Sequence, residues 1–299
     1  MNTHHLNRRE FLKGVATASA AVALAAGSGA VQAAAYKPLL KGVQLGRLPE
    51  NVPDLERFRY AKELGFDGVE APPMADLDRA KALGDAAREA GTPIHSIIYG
   101  GWGAPMSDPD PDKVARGKEE IRNALRCARA MGADTVLLVP AVVNERVRYG
   151  EAWERSQENI RELLPVAEEL GVVIAVENVW NKFLLSPLEF ARYVDEFESP
   201  WLQAYFDVGN VVIFGYPQDW IRTLGPRIRR LHIKDFKRDG YQWSKLPYEG
   251  DVDWPEVRKA IDEIGYDGWG TEEFPGGDEA HLRELSRRMT LLGEGARKA

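Results

Sequence analysis

Four side chains that could bind a metal ion together lie at the ends of four apolar, strand-like runs. Glu177, Asp207, His232 and Glu273 stand at or near the ends of VVIAVENVWN, LQAYFDVGN, IRRLHIKDF and DGWGTEEFPGG. If these runs are neighbouring parallel strands, the four side chains converge at one end of a barrel. Three carboxylates and one imidazole suit a hard divalent cation, with Mn, Mg or Co favoured and Zn also accepted. The sequence therefore predicts a site for one divalent metal ion.

The elements that must position these residues alternate between short apolar runs and amphipathic helical runs. This alternation is typical of a parallel sheet with crossover helices. We predict eight strands, at residues 41–45, 68–71, 93–98, 135–139, 172–177, 203–207, 229–233 and 268–273. We predict eight helices, at residues 54–64, 76–90, 112–131, 149–170, 187–197, 217–224, 254–264 and 278–292.

Glycines mark several of the predicted helix ends. Gly65, Gly132, Gly171 and Gly265 each follow a helical run and precede a strand, as C-terminal helix caps do. Eight such units favour a closed barrel over an open doubly wound sheet, which usually carries a Gly-rich phosphate turn that this sequence lacks. Residues 36–299 are therefore predicted to form one α/β domain, a (β/α)8 TIM barrel, which typically needs about 250 residues.

The four motifs resemble those of the sugar phosphate isomerase/epimerase family, the xylose isomerase-like barrels that include ketose 3-epimerases and hydroxypyruvate isomerase. They read VENVWN, FDVGN, HIKDFKR and TEEFPGG, in order, at the ends of four successive predicted strands. The resemblance covers nearly all of residues 36–299. It implies that Glu177, Asp207, His232 and Glu273 are the ligands of one divalent ion. It also implies that Glu177 and Glu273 act as acid and base across a keto-sugar.

The choice between Glu272 and Glu273 rests on the same family pattern. Adjacent side chains of a strand point to opposite sides, so only one of the two can enter the barrel mouth. Family members place the ligand four residues after the position of Trp269, which selects Glu273. Glu272 is then expected to face the solvent or a helix.

The implied reaction is proton transfer next to a sugar carbonyl. A divalent ion on the carbonyl oxygen would stabilise the enediolate, so we expect a metal-dependent sugar isomerase or epimerase. The same site would make a lyase or hydratase on 3-keto-glycosides if a leaving group lay β to the carbonyl. A non-catalytic sugar-binding barrel is a third alternative. A phosphodiesterase resembling endonuclease IV is disfavoured, because its three-zinc cluster needs more histidines than the three of residues 36–299, which are His95, His232 and His281.

Further residues at or just past predicted strand ends are candidates for substrate contact. They are Arg238, Lys234, His95, Glu70, Asn181, Lys182, Asn210 and Trp102. His95 could instead be a hydrogen-bonded core histidine, and Trp102, in one of the long loops 99–111, 142–150 and 237–251, could simply cap the barrel. The resemblance is incomplete here. Asn210 stands where ketose 3-epimerases commonly carry histidine, and Leu184 where they often carry an acid, which argues against a simple ketose 3-epimerase.

The N-terminus carries an export pattern. Arg8 and Arg9 form a twin-arginine motif in NRREFLK, followed by an Ala-rich apolar run at 14–26 and small residues up to 35. We predict that residues 1–35 are a signal peptide read by the Tat export machinery and that residues 36–299 become periplasmic or secreted. The apolar run is shorter than the roughly 20 residues of a membrane span, so no stable membrane insertion is expected after processing.

The net charge of the chain argues against two classes of partner. The chain carries 39 Lys and Arg against 46 Asp and Glu, a formal net charge of −7, which argues against nucleic acid or an anionic membrane as partner. The expected partner is a small-molecule sugar, and a homo-oligomer is compatible with the sequence. The single Cys127 lies in a predicted helix and is expected to be a small buried apolar residue.

Overall fold

Runs rich in Val, Ile, Leu and Ala form the parallel strands of a closed barrel. The computed structural model describes Lys37 and residues 39–299, so the predicted signal peptide lies outside the described residues. The barrel strands are β1 Leu40–Gln44, β2 Gly68–Ala71, β3 Ile94–Gly100, β4 Thr135–Leu138, β5 Val173–Glu177, β6 Leu202–Asp207, β7 Ile228–Ile233 and β10 Trp269–Glu272. Their order around the barrel is β1-β10-β7-β6-β5-β4-β3-β2. The predicted TIM barrel is confirmed, and each predicted strand is present with ends shifted by at most about two residues, as is usual for strand boundaries.

Helices cover the outside of the barrel. They are α1 Asp54–Glu63, α2 Leu77–Ala90, α3 Pro111–Met131, α4 Tyr149–Arg161, α5 Leu164–Leu170, α6 Pro187–Asp195, α7 Pro217–Leu224, α8 Trp254–Glu263 and α9 Glu279–Gly293. Gly132 and Gly171 end α3 and α5 with positive φ angles of 85° and 64°, which confirms two of the predicted caps. None of the helices among the described residues is long and apolar enough to cross a membrane.

The prediction of one continuous helix over 149–170 is wrong. The chain forms α4 and α5 there, separated at Glu162 and Leu163. Pro165 lies in the first turn of α5. Because proline has no backbone N–H and its ring clashes with the preceding turn, it is tolerated at a helix start but not in a helix interior.

A short hairpin extends from the barrel end in the segment predicted to be a long loop. Strands β8 Phe236–Lys237 and β9 Gln242–Trp243 pair antiparallel, with Phe236 opposite Trp243. Gly240 turns the chain between them with a φ of 80°. The hairpin follows β7 directly, so it lies at the end of the barrel where the predicted metal ligands lie.

Two apolar layers hold the fold together. The larger one packs the outer faces of the strands against the helices. The smaller one fills the barrel interior and consists of Leu137, Ala175 and Tyr205, with Ile98 packed against them. Glu177 and Asp207 follow Ala175 and Tyr205 by two residues on β5 and β6, so period-two alternation places both carboxylates on the interior side, one step nearer the carboxyl end.

Candidate metal centre

The structure brings the four predicted ligands together. Glu177 and Asp207 are the last residues of β5 and β6, His232 lies one residue before the end of β7, and Glu273 directly follows β10. Asp207 pairs in register with His232, and His232 with Thr271, which fixes their relative heights. One ligand atom from each of the four side chains lies within 4.8 Å of all the others.

One hydrogen bond and one longer charge contact connect His232 to the glutamates of this cluster. Nδ1 of His232 lies 2.7 Å from Oε1 of Glu177 and 3.7 Å from Oε2 of Glu273. The ammonium group of Lys234 donates to Oε2 of Glu273 at 3.0 Å. Apart from Lys234 and Glu273, which are partly buried, these side chains have almost no solvent exposure.

Asp207 offers an oxygen that receives no hydrogen bond from an N–H or hydroxyl group of the described residues. Its Oδ1 accepts a hydrogen bond from the backbone N–H of Asn210 at 2.6 Å. Its Oδ2 is buried and has no hydrogen-bond partner among the described residues. Asn178 holds the Asp207 backbone from both sides, accepting from its N–H and donating to its carbonyl, each at 2.9 Å. A buried carboxylate oxygen without a donor is costly, so this arrangement fits a bound cation.

The electrostatics of the cluster also fit a cation. Burial raises the pKa of Glu177, and it raises the pKa of Asp207 well above its usual value. Burial alone would lower the pKa of His232, but Glu70, Glu177 and Glu273 raise it well above the usual value. Protons therefore compensate the crowded carboxylates when no cation does, and a divalent ion would take over that role.

The cluster lies at the edge of a cavity of about 400 Å³. Glu177 and Glu273 contribute to its lining together with Asn210 and Lys234. Its aromatic lining consists of Tyr99, Trp102, Trp180 and Trp243. A concave, largely apolar pocket with a few polar groups is the usual form of a small-molecule site.

The hairpin supplies much of the aromatic wall. Trp243 on β9 lies 4.8 Å from the ring of Trp180, and the ammonium of Lys234 lies 4.2 Å from the centre of the Trp243 ring. Trp180 donates from its indole N–H to the carbonyl of Asn210 at 2.9 Å. The loops after β5, β6 and β7 therefore meet around the entrance to the cavity.

The other predicted substrate contacts divide into two groups. Lys234, Asn210 and Trp102 line the cavity, and Trp102 is 54% exposed. The remaining five are not among its lining residues; they are Arg238, His95, Glu70, Asn181 and Lys182. Arg238 is exposed and donates from Nε to the Val212 carbonyl.

His95 and Asn181 have structural surroundings. His95 is buried, stacks on Trp269 with the ring centres 4.1 Å apart, and pairs with the Thr271 hydroxyl. These contacts favour the alternative of a core histidine. Asn181 donates to the Ala141 carbonyl at 2.7 Å and thereby ties the loop after β5 to the end of β4.

Glu272 was expected to face the solvent or a helix, and the structure excludes the solvent. The side chain is fully buried and accepts hydrogen bonds from the backbone N–H groups of Gln44 and Phe274. Burial raises the pKa of Glu272 to about 7. It points away from the four-residue cluster because adjacent residues of β10 alternate sides.

Asn178 and Tyr205 are site residues that the sequence reasoning missed. Asn178 directly follows Glu177, and its amide pairs with the Asp207 backbone. The VEN motif was a signal for it, because an amide placed beside a ligand at a strand end can bond the neighbouring strand. Tyr205 had no such signal, since it reads as one more apolar residue of β6.

Comparison with known proteins identifies the same barrel fold. A family model described as xylose isomerase-like TIM barrel matches residues 58–292. An L-ribulose-5-phosphate 3-epimerase, UlaE, of Escherichia coli O1:K1 is 27% identical, with 86% of this chain and 97% of the relative covered. UlaE of Salmonella paratyphi A matches with the same identity and coverage.

Two solved structures share the fold. The 3-keto-D-glucoside 4-epimerase YcjR of E. coli superposes with a TM-score of 0.72 at 20% identity, covering 84% of this chain and 98% of its own. A D-psicose 3-epimerase of Clostridium cellulolyticum H10 superposes with a TM-score of 0.72 at 19% identity, covering 87% and 100%.

Proposed function

The chain belongs to the xylose isomerase-like TIM barrel family, and from this premise we propose that it is a divalent-metal-dependent epimerase or isomerase of keto-sugars. One observation carries the proposal: Glu177, Asp207, His232 and Glu273 converge within 4.8 Å beside an aromatic-lined cavity. The buried, unpartnered oxygen of Asp207 supports a cation there. The donor set of three carboxylates and one imidazole favours Mn, Mg or Co and also accepts Zn.

The two glutamates would carry the proton. A divalent ion held by Glu177, Asp207, His232 and Glu273 would stabilise the negative charge of the enediolate. Burial would raise the pKa of Glu273, but His232 and Lys234 lower it to about 2 in the metal-free protein. Glu177 and Glu273 both line the cavity, so either glutamate could take a proton from the substrate while the other returns one to the carbon. In the reverse reaction the two exchange roles.

The cavity favours a substrate without a phosphate group. Lys234 is the one basic side chain among the described residues that line it, and this ammonium already pairs with Glu273 and with the Trp243 ring. Phosphate recognition usually needs arginines, lysines or a helix N-terminus free for the phosphate oxygens. The curated relatives named for L-ribulose 5-phosphate would then differ from this chain in substrate.

A lyase or hydratase acting on 3-keto-glycosides is the second candidate. The aromatic wall of Trp102, Trp180 and Trp243 offers flat surfaces on which a sugar ring or an aglycone could stack. The base and the metal that form an enediolate would also eliminate a leaving group β to the carbonyl. The products separate the two reactions, since only elimination releases an aglycone or water.

The deciding experiment begins with elemental analysis of residues 36–299 and of the same protein with His232→Ala. We expect about one divalent ion per chain in the parent and loss of that ion in the variant. Free ketoses and 3-keto-glycosides are then incubated in D2O with the metal found. Deuterium at the carbon beside the carbonyl, without release of an aglycone, supports epimerisation.

Glu177→Gln tests the acid and base roles. The substitution should lower turnover by about 10²–10⁴-fold, the usual contribution of a positioned acid or base. Full activity in this variant would contradict the mechanism. If the parent takes up none of Mn, Mg, Co and Zn, the protein is better described as a sugar-binding barrel.

We also propose that the protein is exported through the Tat route. The support is the sequence of residues 1–35, with its paired arginines and Ala-rich run. Fractionation of cells that express the full chain should place it in the periplasm or the medium. Arg8→Lys with Arg9→Lys should retain it in the cytoplasm, and unchanged export of that variant would contradict the proposal.

A further inference from the structure

Glu70 was a candidate for substrate contact, but its side chain lies inside the barrel against His232. It lies on β2, is fully buried, and does not line the cavity. Its Oε1 accepts a hydrogen bond from the Tyr205 hydroxyl at 2.7 Å, and its Oε2 lies 3.1 Å from Nε2 of His232. Glu70 is therefore a buried carboxylate in contact with a candidate ligand rather than with a sugar.

The two ring nitrogens of His232 thus face different carboxylates. Nδ1 faces Glu177 and Glu273, which belong to the four-residue cluster, whereas Nε2 faces Glu70, which does not. A carboxylate offers only acceptors, so the nitrogen facing Glu70 must carry a proton to form a hydrogen bond. The same argument places a proton on Nδ1 in the metal-free protein, where it bonds Glu177. A metal ion in the cluster would replace the proton on Nδ1, whereas Glu70 would retain the proton on Nε2.

We propose that Glu70 is a positioning residue that accepts the Nε2 proton of His232 and thereby directs Nδ1 toward the cluster as the ligand atom. The inference rests on the proposed metal-dependent function. Carboxylates behind ligating histidines fix the tautomer and the ring orientation and make the imidazole a better donor to the metal. The Tyr205 hydroxyl completes the arrangement because it holds the second oxygen of Glu70.

A purely structural role is the alternative. Glu70 could be no more than the partner that satisfies His232 inside the barrel. In that case its substitution would change the stability of the metal-free protein and leave metal affinity unaffected. The two roles therefore separate in a binding measurement, which needs no substrate and no turnover.

The test is calorimetric titration of Mn²⁺ into the metal-free protein and into Glu70→Gln and Glu70→Ala. Loss of a carboxylate behind a ligating histidine typically weakens metal binding about 10–100-fold. We expect about tenfold for glutamine, which keeps the volume and one acceptor, and about a hundredfold for alanine. Mn²⁺ affinity within twofold of the parent in Glu70→Gln overturns the inference, whether or not Glu70→Ala folds.

Glu272→Gln is the matched control. It makes the same substitution at an equally buried glutamate of the barrel wall, whose partners are two backbone N–H groups and the Arg47 guanidinium at 3.7 Å, and not His232. We expect it to bind Mn²⁺ as the parent does. An equal loss in both variants would mean that any buried charge change weakens the site, which would also contradict the inference.

Nitrogen NMR of the ring gives a second readout. In the Zn²⁺-loaded parent, ¹⁵N-labelled His232 should show the tautomer protonated on Nε2, and a tautomer protonated on Nδ1 would refute the role of Glu70. If the parent binds no metal at all, the proposed function fails. If the parent binds metal and Glu70→Gln binds it equally well, only the role of Glu70 fails.

Discussion

At the scale of single residues, Lys234 and His232 together keep Glu273 ionised. The Lys234 ammonium lies 3.0 Å from Oε2 of Glu273 and over the ring of Trp243. Burial would raise the pKa of Glu273, but His232 and then Lys234 lower it to about 2. Without a bound metal ion, Glu273 therefore stays ionised in mildly acidic solution.

Lys234→Met should raise the pKa of Glu273 in the metal-free protein. Without the ammonium, the carboxylate of Glu273 binds a proton more readily, and an opposite charge at this distance typically changes a pKa by about one or more. The measurement is ¹³C NMR of the Glu273 carboxyl while the metal-free protein is titrated with acid, and its transition should lie about one pH unit higher than in the parent. Lys234→Arg keeps the charge and should keep the parent titration, and an unchanged pKa in Lys234→Met would contradict the prediction.

The sequence predicted which residues form this site better than it predicted how deeply the neighbouring side chains are buried. Glu177, Asp207, His232 and Glu273 could be selected because metal-binding side chains at the ends of successive parallel strands must meet. Glu70 is also near a strand end, yet it lies beneath His232, because the register between strands sets the height of a side chain and a single sequence does not show that register. Glu272 could likewise be excluded from the mouth by alternation together with the family pattern, but its full burial depended on the neighbouring β1.

At the scale of elements, Asp235 fastens the long segment after β7. Its carboxylate accepts hydrogen bonds from the backbone N–H groups of Phe236, Gly250 and Val252 and from the indole N–H of Trp254. These donors span both ends of the segment that carries the β8–β9 hairpin. Asp235 thereby holds the hairpin, and with it Trp243, against the barrel.

Asp235→Asn should loosen this segment, and the cost should depend on pH. The amide replaces one acceptor oxygen by a donor that faces N–H groups, which should lower the free energy of unfolding by about 1–3 kcal/mol. Burial raises the pKa of Asp235 from 3.8 to about 6. Between these values the folded protein holds a proton that the unfolded chain has released, so the contribution of Asp235 to stability decreases as pH rises.

The parent should therefore exceed the asparagine variant in stability by more at pH 4 than at pH 7. Urea unfolding of both proteins at the two pH values measures this difference, and the exposed Asp239→Asn in the same segment is the control. If the parent exceeded Asp235→Asn in free energy of unfolding by more at pH 7 than at pH 4, the four donors would stabilise the ionised carboxylate by more than burial destabilises it.

The elements themselves were predictable to the extent that they follow local patterns. Apolar runs and glycine caps identified the eight barrel strands. The break between α4 and α5 could have been predicted from Pro165, because proline ends a preceding helix. The β8–β9 hairpin was not readable, because its two-residue strands are too short for any periodicity and are held by Asp235 and by packing of Trp243 on Phe236 and Trp180.

At the scale of the whole molecule, the candidate metal centre joins half of the barrel wall. Its ligands come from β5, β6, β7 and the end of β10, which are consecutive neighbours around the barrel. In the unfolded chain these four residues are far apart along the sequence and form no site. A metal ion that binds only the folded barrel must therefore stabilise the whole fold.

Metal binding should accordingly raise the unfolding temperature in a way that depends on concentration. At a free Mn²⁺ concentration of 100 times the Kd, the free energy of unfolding should increase by about 2.7 kcal/mol, which for a domain of this size corresponds to about 5–10 °C. Calorimetric scans with a chelator and at several Mn²⁺ concentrations measure the shift. His232→Ala should show almost none of it, because the variant lacks one of the four ligands, whereas Glu272→Gln should retain it. An equal shift in His232→Ala would place the stabilising ion elsewhere on the molecule and would remove the physical basis of the proposed reaction.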